Sequence, residues 1–178
     1  MLIGILSDTH DNLPMIRRAV AYFEGAGADC LIHAGDFGAP FALKEVLKYK
    51  GAVYAVYGNN DGERAGLKKL LPDLSEGPRR VELCGKTIVI AHDETKLKPG
   101  DLAGADVVVV GHTHKVEIRR GTVPLSGTVP SANDRTGQSL QPLVINPGEA
   151  SGWLTGEATV AMLDTETLDA RIVNLGKQ

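Results

Sequence analysis

The length, composition and charge of the chain restrict its fold and its partners. With 178 residues, it is long enough for one α/β domain with a sizeable core and too short for two comfortable ones. Its formal net charge is −3 and its paired basic residues are scattered, so stable binding to nucleic acid is not expected. The two cysteines, Cys30 and Cys84, each lie inside a short apolar stretch, and both are predicted to be small buried side chains rather than a disulfide.

No stretch of the sequence indicates targeting or membrane insertion. A strand-like segment begins at Leu2 without a basic region before it, and no apolar run approaches the roughly 18 residues of a membrane span. Two separate cysteines in place of a disulfide framework favour a reducing compartment. We therefore expect a soluble cytoplasmic protein with no membrane partner.

Three β-loop-α units are predicted in the first part of the chain. Apolar strands are predicted at residues 2–6, 30–34 and 52–57, and helices at 13–25, 40–49 and 63–71. Each strand runs into a short polar loop, and these loops carry Asp8, His10, Asp36 and Asn59. Because ligands bind at the carboxyl ends of strands in open α/β sheets, we expect these four side chains along one edge.

After Pro72 the pattern changes to hairpins and short strands. A hairpin is predicted at residues 81–84 and 87–91, strands at 107–110, 116–119 and 143–145, and a final hairpin at 158–163 and 168–174. Residues 121–142, rich in Gly, Pro, Ser and Thr, are predicted to form a long surface excursion, either disordered or a lid. No linker is found, so residues 1–178 are expected to form one domain.

Seven polar side chains follow predicted strands and could share one metal centre. His112 and His114, two residues apart after the valine run at 107–110, can point into the same pocket. Seven nitrogen and oxygen ligands are about right for two ions that share a carboxylate, and the absence of a thiolate suits manganese best, with nickel, iron or zinc as alternatives. The candidate ligands are Asp8, His10, Asp36, Asn59, His92, His112 and His114.

Taken singly, each candidate has a simpler explanation. A lone His10 or His92 is more often an ordinary loop or core histidine, and Gly35-Asp36 is more often a turn. Four of the five histidines nevertheless follow predicted strands, which favours a common site. His33 lies within the second strand and is predicted either to be a core residue or to orient a ligand.

In chain order, the candidate residues resemble the motifs of a known superfamily. Asp8-x-His10, Gly35-Asp36, Gly58-Asn59-x-Asp61, His92 and Gly111-His112-Thr113-His114 are similar to those of the calcineurin-like metallophosphoesterases. The length and Asn146-Pro147-Gly148 are similar to the small, single-domain prokaryotic phosphodiesterases of that superfamily, and the resemblance covers nearly the whole chain.

The resemblance implies a fold, a reaction and a set of roles. The expected fold is α/β (α+β), a two-sheet β-sandwich flanked by helices with a di-metal site at the carboxyl edge of the strands. The expected reaction is hydrolysis of a small phosphate ester, a phosphodiester, by a hydroxide that bridges two divalent ions. One ion would be held by Asp8, His10, Asp36 and His114, and the other by Asp36, Asn59, His92 and His112, with Asp36 shared.

The sequence departs from the superfamily pattern beside the ligand asparagine. Many relatives carry a histidine where this chain has Asn60. An amide can donate a hydrogen bond to phosphate but cannot deliver a proton, so we expect acidic leaving groups to be favoured unless a metal-bound water substitutes. Asn60 and Asp61 are candidate catalytic residues, and Asn59 and Asn60 are candidate substrate-binding residues. Asp61 is predicted to orient its own loop or an imidazole, or to cap the following helix.

Two further features bear on the predicted function. Asp93-Glu94 follow His92, and these carboxylates would repel a dianionic monoester more than a monoanionic diester. The superfamily is also similar to a retromer subunit that uses the fold as a scaffold, so a non-catalytic or weakly catalytic interaction protein is the alternative to an enzyme. A nuclease is disfavoured because the chain lacks a basic channel. A homo-oligomer is left open.

Overall fold

Ten strands, three α-helices and two 3₁₀ turns form the part of the chain that the computed structural model describes, residues 1–121 and 141–177. The strands are β1 (Leu2–Leu6), β2 (Cys30–His33), β3 (Ala52–Ala55), β4 (Arg79–Leu83), β5 (Lys86–Ile90), β6 (Val107–Val109), β7 (Val116–Arg120), β8 (Leu143–Pro147), β9 (Ala158–Asp164) and β10 (Asp169–Gly176). The helices are α1 (Leu13–Gly25), α2 (Pro40–Val46) and α3 (Arg64–Leu70), and the 3₁₀ turns span Glu94–Lys96 and Pro99–Leu102.

The strands form two five-stranded sheets. The first has the order β10-β9-β1-β2-β3, and the second has the order β4-β5-β6-β8-β7. In the first sheet β1, β2 and β3 are parallel, and in the second sheet β5, β6 and β8 are parallel. The carboxyl ends of each parallel set therefore lie at one edge of their sheet.

Alternation along the strands divides the core into layers. Ile3 and Ile5 of β1 pack toward the second sheet against residues such as Ile88 and Val107, whereas Leu6 packs with the helices. Val108 lies on the opposite face of the second sheet, over the 3₁₀ turns. Because successive side chains of a strand point to opposite faces, such strands are apolar throughout when both faces are covered. The predicted two-sheet sandwich flanked by helices is confirmed.

Helix α1 approaches the first sheet closely at Gly4. A Cβ atom at this position would lie 2.5 Å from Phe23 Cδ1, well inside van der Waals contact. The absence of a side chain on Gly4 therefore lets the fully buried Phe23 ring rest directly on β1. Asn12 caps α1 as predicted, since its side-chain oxygen accepts a hydrogen bond from Met15 N.

Most predicted elements are found, with shifts at their ends. Helix α2 ends at Val46, before the predicted residue 49, because the chain turns there and Tyr49 packs into the core with its hydroxyl donating to Ala28 O.

Most of the predicted excursion at 121–142 lies outside the described residues. No helix in the described ranges is long and apolar enough to span a membrane.

The expectation that both cysteines are buried is wrong for Cys84. Cys30 is buried in β2, but Cys84 is exposed in the two-residue turn between β4 and β5. Cys84 and Gly85 have φ angles of 49° and 73°, and such paired positive angles suit a tight hairpin turn. The turn geometry therefore outweighs the apolar residues that precede Cys84.

The two thiols are expected to differ sharply in reactivity. Burial raises the pKa of the Cys30 thiol to about 12, and the thiolate is the reactive form. We expect one thiol per native chain to react rapidly with 5,5′-dithiobis(2-nitrobenzoate) and two after denaturation. Cys84→Ser should abolish the rapid reaction, and rapid reaction of that variant would contradict the assignment.

Candidate metal centre

The predicted ligands lie on loops that leave both sheets at the same edge. Asp8, His10, Asp36 and Asn59 follow strands of the first sheet, and His92, His112 and His114 follow strands of the second. Backbone hydrogen bonds tie neighbouring loops together, including His10 N to Asp36 O at 3.1 Å and Gly111 N to His92 O at 3.0 Å. The centre is therefore shared between the two sheets.

One group of ligands is formed by Asp8, His10 and His114. Asp8 Oδ1 lies 3.2 Å from His114 Nε2 and 3.7 Å from His10 Nε2. The two imidazole Nε2 atoms are 3.4 Å apart. These atoms converge on a volume of the size that one cation would occupy.

A second group is formed around Asp36, His92 and Asn59. Asp36 Oδ2 is 3.4 Å from His92 Nε2, and His92 Nε2 is 2.9 Å from Asn59 Oδ1. The His112 ring lies with its centroid 5.2 Å from that of His92. Asp36 Oδ2 is also 3.8 Å from His10 Nε2, so this oxygen lies between the two groups. All seven predicted side chains are brought to one place.

The polar atoms of the two groups are better satisfied by a bound cation than by hydrogen bonds to one another. Asp8 is fully buried, and its Oδ1 has no hydrogen-bond partner anywhere in residues 1–121 and 141–177. A buried carboxylate oxygen without a partner is costly. His92 Nδ1 is 2.8 Å from Ala34 O, which requires a proton on Nδ1 and leaves the Nε2 lone pair of a neutral ring facing two oxygens. A cation between these atoms would satisfy them.

The ionisation of the centre favours the same conclusion. Burial alone would raise the pKa of Asp8, but its contacts with His10 and His114 outweigh burial and hold the pKa well below its usual range. Burial would likewise raise the pKa of Asp36, and His92 lowers it below its usual value. The contact with Asp8 raises the pKa of His114. Two ionised, buried carboxylates thus attract positive charge to this edge.

His33 supports the loops rather than the ligand groups. The buried ring accepts a hydrogen bond from Gly35 N at Nδ1 and contacts Thr9 Oγ1 with Nε2, both at 3.1 Å. Because Nδ1 accepts, the neutral ring carries its proton on Nε2, which donates to Thr9. Burial lowers the pKa of His33 to about 3, so the ring stays neutral. These bonds reach no ligand side chain, and the ring stacks on Phe37, so His33 is a buried core residue that ties the two loops together.

Asp61 is bonded to backbone amides. Its carboxylate accepts hydrogen bonds from Gly58 N at 2.7 Å, Gly38 N at 3.0 Å and Asp36 N at 3.1 Å. It therefore fixes the loop that carries Asn59 to the loop that carries Asp36. The alternative that Asp61 caps the following helix is not found, since Glu63 occupies the N-cap of α3.

Asn60 contacts Asp36 through both its backbone and its side chain. Asn60 N donates to Asp36 Oδ1 at 2.7 Å, and Asn60 Nδ2 donates to Asp36 Oδ2 at 2.8 Å. Its side chain is exposed at the mouth of the centre. An amide donor is thus available beside the shared carboxylate.

The two carboxylates after His92 have structural partners. Asp93 Oδ1 accepts hydrogen bonds from Thr95 N at 3.0 Å and Thr95 Oγ1 at 2.7 Å. Glu94 pairs with Arg119. Asp93 also lines a cavity of about 280 Å³ that adjoins Asn59 and His92. Asp93 Oδ2 lies 3.7 Å from Lys96 Nζ, so each of the two carboxylates has a cationic neighbour, and only Asp93 lines this cavity.

Glu149 is a residue of the centre that sequence analysis missed. It is fully buried, and Oε2 lies 3.0 Å from His114 Nδ1. Ser151 Oγ donates to Oε2 at 3.0 Å, and Leu154 N donates to Oε1 at 2.8 Å. A carboxylate behind a ligand histidine sets the tautomer and orientation of the ring. The only available signal was its position directly after the Asn146-Pro147-Gly148 motif.

Nearly the whole chain is similar to known proteins. A sequence model described as the calcineurin-like phosphoesterase superfamily domain matches residues 1–168. A phosphodiesterase of Methanocaldococcus jannaschii is 38% identical over 184 positions, covering 98% of this chain and 99% of that protein. An archaeal phosphodiesterase of known structure has a TM-score of 0.78 and 35% identity, covering 98% of this chain and 99% of that chain.

A further solved structure is similar in fold alone. Vps29 of Entamoeba histolytica, solved with zinc, has a TM-score of 0.63. Its identity is 15%, and the match covers 99% of this chain and 100% of that chain. This likeness concerns the architecture of the sandwich.

Proposed function

The chain belongs to the calcineurin-like phosphoesterase superfamily, and from this premise we propose that it is a metal-dependent phosphodiesterase acting on small phosphate esters. Membership makes it a phosphoric ester hydrolase. One observation carries the proposal further: Asp36 Oδ2 lies 3.8 Å from His10 Nε2 and 3.4 Å from His92 Nε2. A carboxylate placed between two imidazole groups is what a centre of two ions requires.

The proposed ligand sets follow the two groups. Asp8, His10, Asp36 and His114 would hold one divalent ion, and Asp36, Asn59, His92 and His112 the other. Imidazole, carboxylate and amide ligands without thiolate favour manganese, with nickel, iron or zinc as alternatives. When bound, two such ions would neutralise the phosphate charge and activate the water that attacks phosphorus.

Residues behind the ligands would hold the imidazoles in the binding tautomer. Ala34 O lies 2.8 Å from His92 Nδ1, and Glu149 Oε2 lies 3.0 Å from His114 Nδ1. At His92 the bond to Ala34 O keeps the proton on Nδ1 and leaves Nε2 free to bind. Glu149 is placed to orient His114 by its charge, although His114 Nδ1 makes no hydrogen bond within the described residues. We infer that Asp61 is a positioning residue, because its oxygens bond to the amides of Asp36 and Gly58.

The preference for diesters with acidic leaving groups rests on two side chains. Asn60 Nδ2, beside Asp36, can donate a hydrogen bond to a phosphoryl oxygen but cannot protonate a leaving group at neutral pH. Asp93 lines the cavity next to His92, and its charge would repel a dianionic monoester more than a monoanionic diester. Aryl phosphodiesters meet both conditions.

The alternative function is an interaction scaffold. The chain has the same fold as Vps29. Asp8 Oδ1 is buried, makes no hydrogen bond and has only the His114 and His10 imidazoles beside it. This counts against the scaffold, because a scaffold has no need to maintain a costly carboxylate. A non-catalytic protein would be expected to hydrolyse neither ester.

The test compares two aryl esters with the manganese-loaded protein. Bis-p-nitrophenyl phosphate should be hydrolysed faster than p-nitrophenyl phosphate, and His112→Ala should remove the activity toward both. Lys115→Ala, an exposed position in the same loop, is the matched control and should keep it. Metal analysis of protein purified without chelator should give about two ions per chain. No turnover together with no bound metal would support the scaffold instead.

A further inference from the structure

Trp153, the chain's single tryptophan, lies exposed beside the metal centre. It follows β8, and its side chain is 55% exposed although it is the largest apolar side chain in the sequence. Its indole Nε1 donates a hydrogen bond to His10 O at 3.1 Å. The ring is therefore hydrogen-bonded to the backbone of His10, a proposed metal ligand.

The loop that carries Trp153 is fixed at several points. Asn12 Nδ2 donates to Ser151 O at 2.6 Å, and Ser151 N donates to Asp8 O at 3.1 Å. Glu149 Oε1 accepts Leu154 N, directly after Trp153, at 2.8 Å. These bonds connect the loop to the one that carries Asp8 and His10. The exposed ring is thus held in place before any ligand arrives, which reduces the entropic cost of binding.

Fixing an exposed indole in this way has no evident structural benefit. The ring is not among the residues of the three hydrophobic clusters in the described part of the chain. An indole face has a favourable interaction with flat, polarisable rings, and stacking on it does not depend on particular hydrogen bonds. Because Trp153 lies beside His10, a ring stacked on the indole would have to belong to a group attached close to a phosphate bound at the metal centre.

We propose that Trp153 forms an aromatic subsite that takes the flat substituent, an aryl group or a nucleobase, of a phosphodiester held at the metal centre. The proposal rests on the proposed function. Asn60 adjoins Asp36 on the side of Asn59 and His92, whereas Trp153 adjoins His10. We therefore assign to Trp153 the ester substituent that remains on phosphate, and the leaving group to the side of Asn60.

Two substrates with the same leaving group test this assignment. Bis-p-nitrophenyl phosphate retains an aryl group after hydrolysis, and methyl p-nitrophenyl phosphate retains a methyl group. Trp153→Ala should lower kcat/KM for the first by roughly five- to tenfold, the size expected for an aromatic pair, and leave the second nearly unchanged. Trp153→Phe should restore most of the loss.

Leu154→Ala is the matched control, because Leu154 is the neighbouring exposed apolar side chain. It should leave both substrates unchanged. Equal losses for the two substrates in Trp153→Ala, or no loss for either, would overturn the aromatic subsite while leaving the proposed function intact. If the wild-type protein hydrolysed neither substrate, the proposed function itself would fail.

Fluorescence gives a readout that is independent of turnover. With one tryptophan in the chain, emission excited at wavelengths that tyrosine does not absorb reports Trp153 alone. Thymidine 5′-monophosphate should quench the emission of the zinc-loaded protein, and ribose 5-phosphate, which has the phosphate without the base, should not. Equal effects of the two compounds would contradict stacking on Trp153.

Discussion

Replacement of Asp36 by asparagine is expected to lower phosphodiesterase activity by roughly 10³-fold or more, because a centre of two ions contributes several kcal/mol to transition-state stabilisation. Asp36 Oδ2 lies between His10 Nε2 and His92 Nε2. The other carboxylate oxygen, Oδ1, accepts a hydrogen bond from Asn60 N at 2.7 Å. Asparagine keeps the shape of the side chain but removes the charge that two cations would share. The fold should survive, and the metal content should fall.

The measurement combines kcat/KM for bis-p-nitrophenyl phosphate, metal content and thermal unfolding of the metal-free protein. Asp11→Asn is the matched control, since it removes the same charge from the same edge at a residue whose carboxylate accepts a hydrogen bond from Ala39 N. It should leave kcat/KM and metal content close to those of the wild type. An active Asp36→Asn variant with two bound ions would refute the shared role of this carboxylate.

Gly58→Ala is expected to reduce activity by about 10²-fold, the cost of a displacement near 1 Å in a catalytic site. A Cβ atom at Gly58 would lie 2.7 Å from Asp36 Cγ, and it would also meet Asp36 Oδ1 and the Asp36 backbone N. The backbone nitrogen cannot move aside without moving β2 and its loop. Stability should also fall by about 1–3 kcal/mol, as for other overpacked sites.

Gly62→Ala provides the comparison within the same loop. A Cβ atom at Gly62 would meet no atom within 4 Å, and neither glycine has a positive φ. This variant should keep activity and its urea midpoint close to those of the wild type. Equal behaviour of Gly58→Ala and Gly62→Ala in both measurements would show that the loops at Asp36 and Asn59 can separate without loss.

The sequence predicted the convergence of Asp8, His10, Asp36 and Asn59 because strand ends are governed by a simple rule, and the superfamily resemblance joined the three histidines of the second sheet to them. Parallel strands place their carboxyl ends at one edge, so residues directly after apolar runs, such as Asp8 and Asp36, must meet. The local backbone at these residues was not predicted. The residues with positive φ angles include Asp8, His10, Asp36, His112 and His114.

The sequence did not predict positions that depend on turns or on hydrogen bonds and ion pairs between residues far apart in the chain. Cys84 follows apolar residues but occupies a hairpin turn, where backbone geometry decides exposure. Asp61 precedes a helix, yet its bonds go to loops that lie far away in sequence. Glu149 and Trp153 follow β8 in a segment without hydrophobic periodicity, so only the three-dimensional structure relates them to His114 and His10.

The division of the ligands between the two sheets has a consequence for folding. Neither sheet holds a complete set: His92, His112 and His114 follow strands of one, and Asp8 and Asp36 follow strands of the other. Ions bound by ligands from both sheets would link the two sheets of the sandwich. Since anything that binds only the folded state stabilises it, metal binding and docking of the two sheets would be one linked equilibrium. Separation of the sheets would release the ions, and chelation would loosen the interface between the sheets.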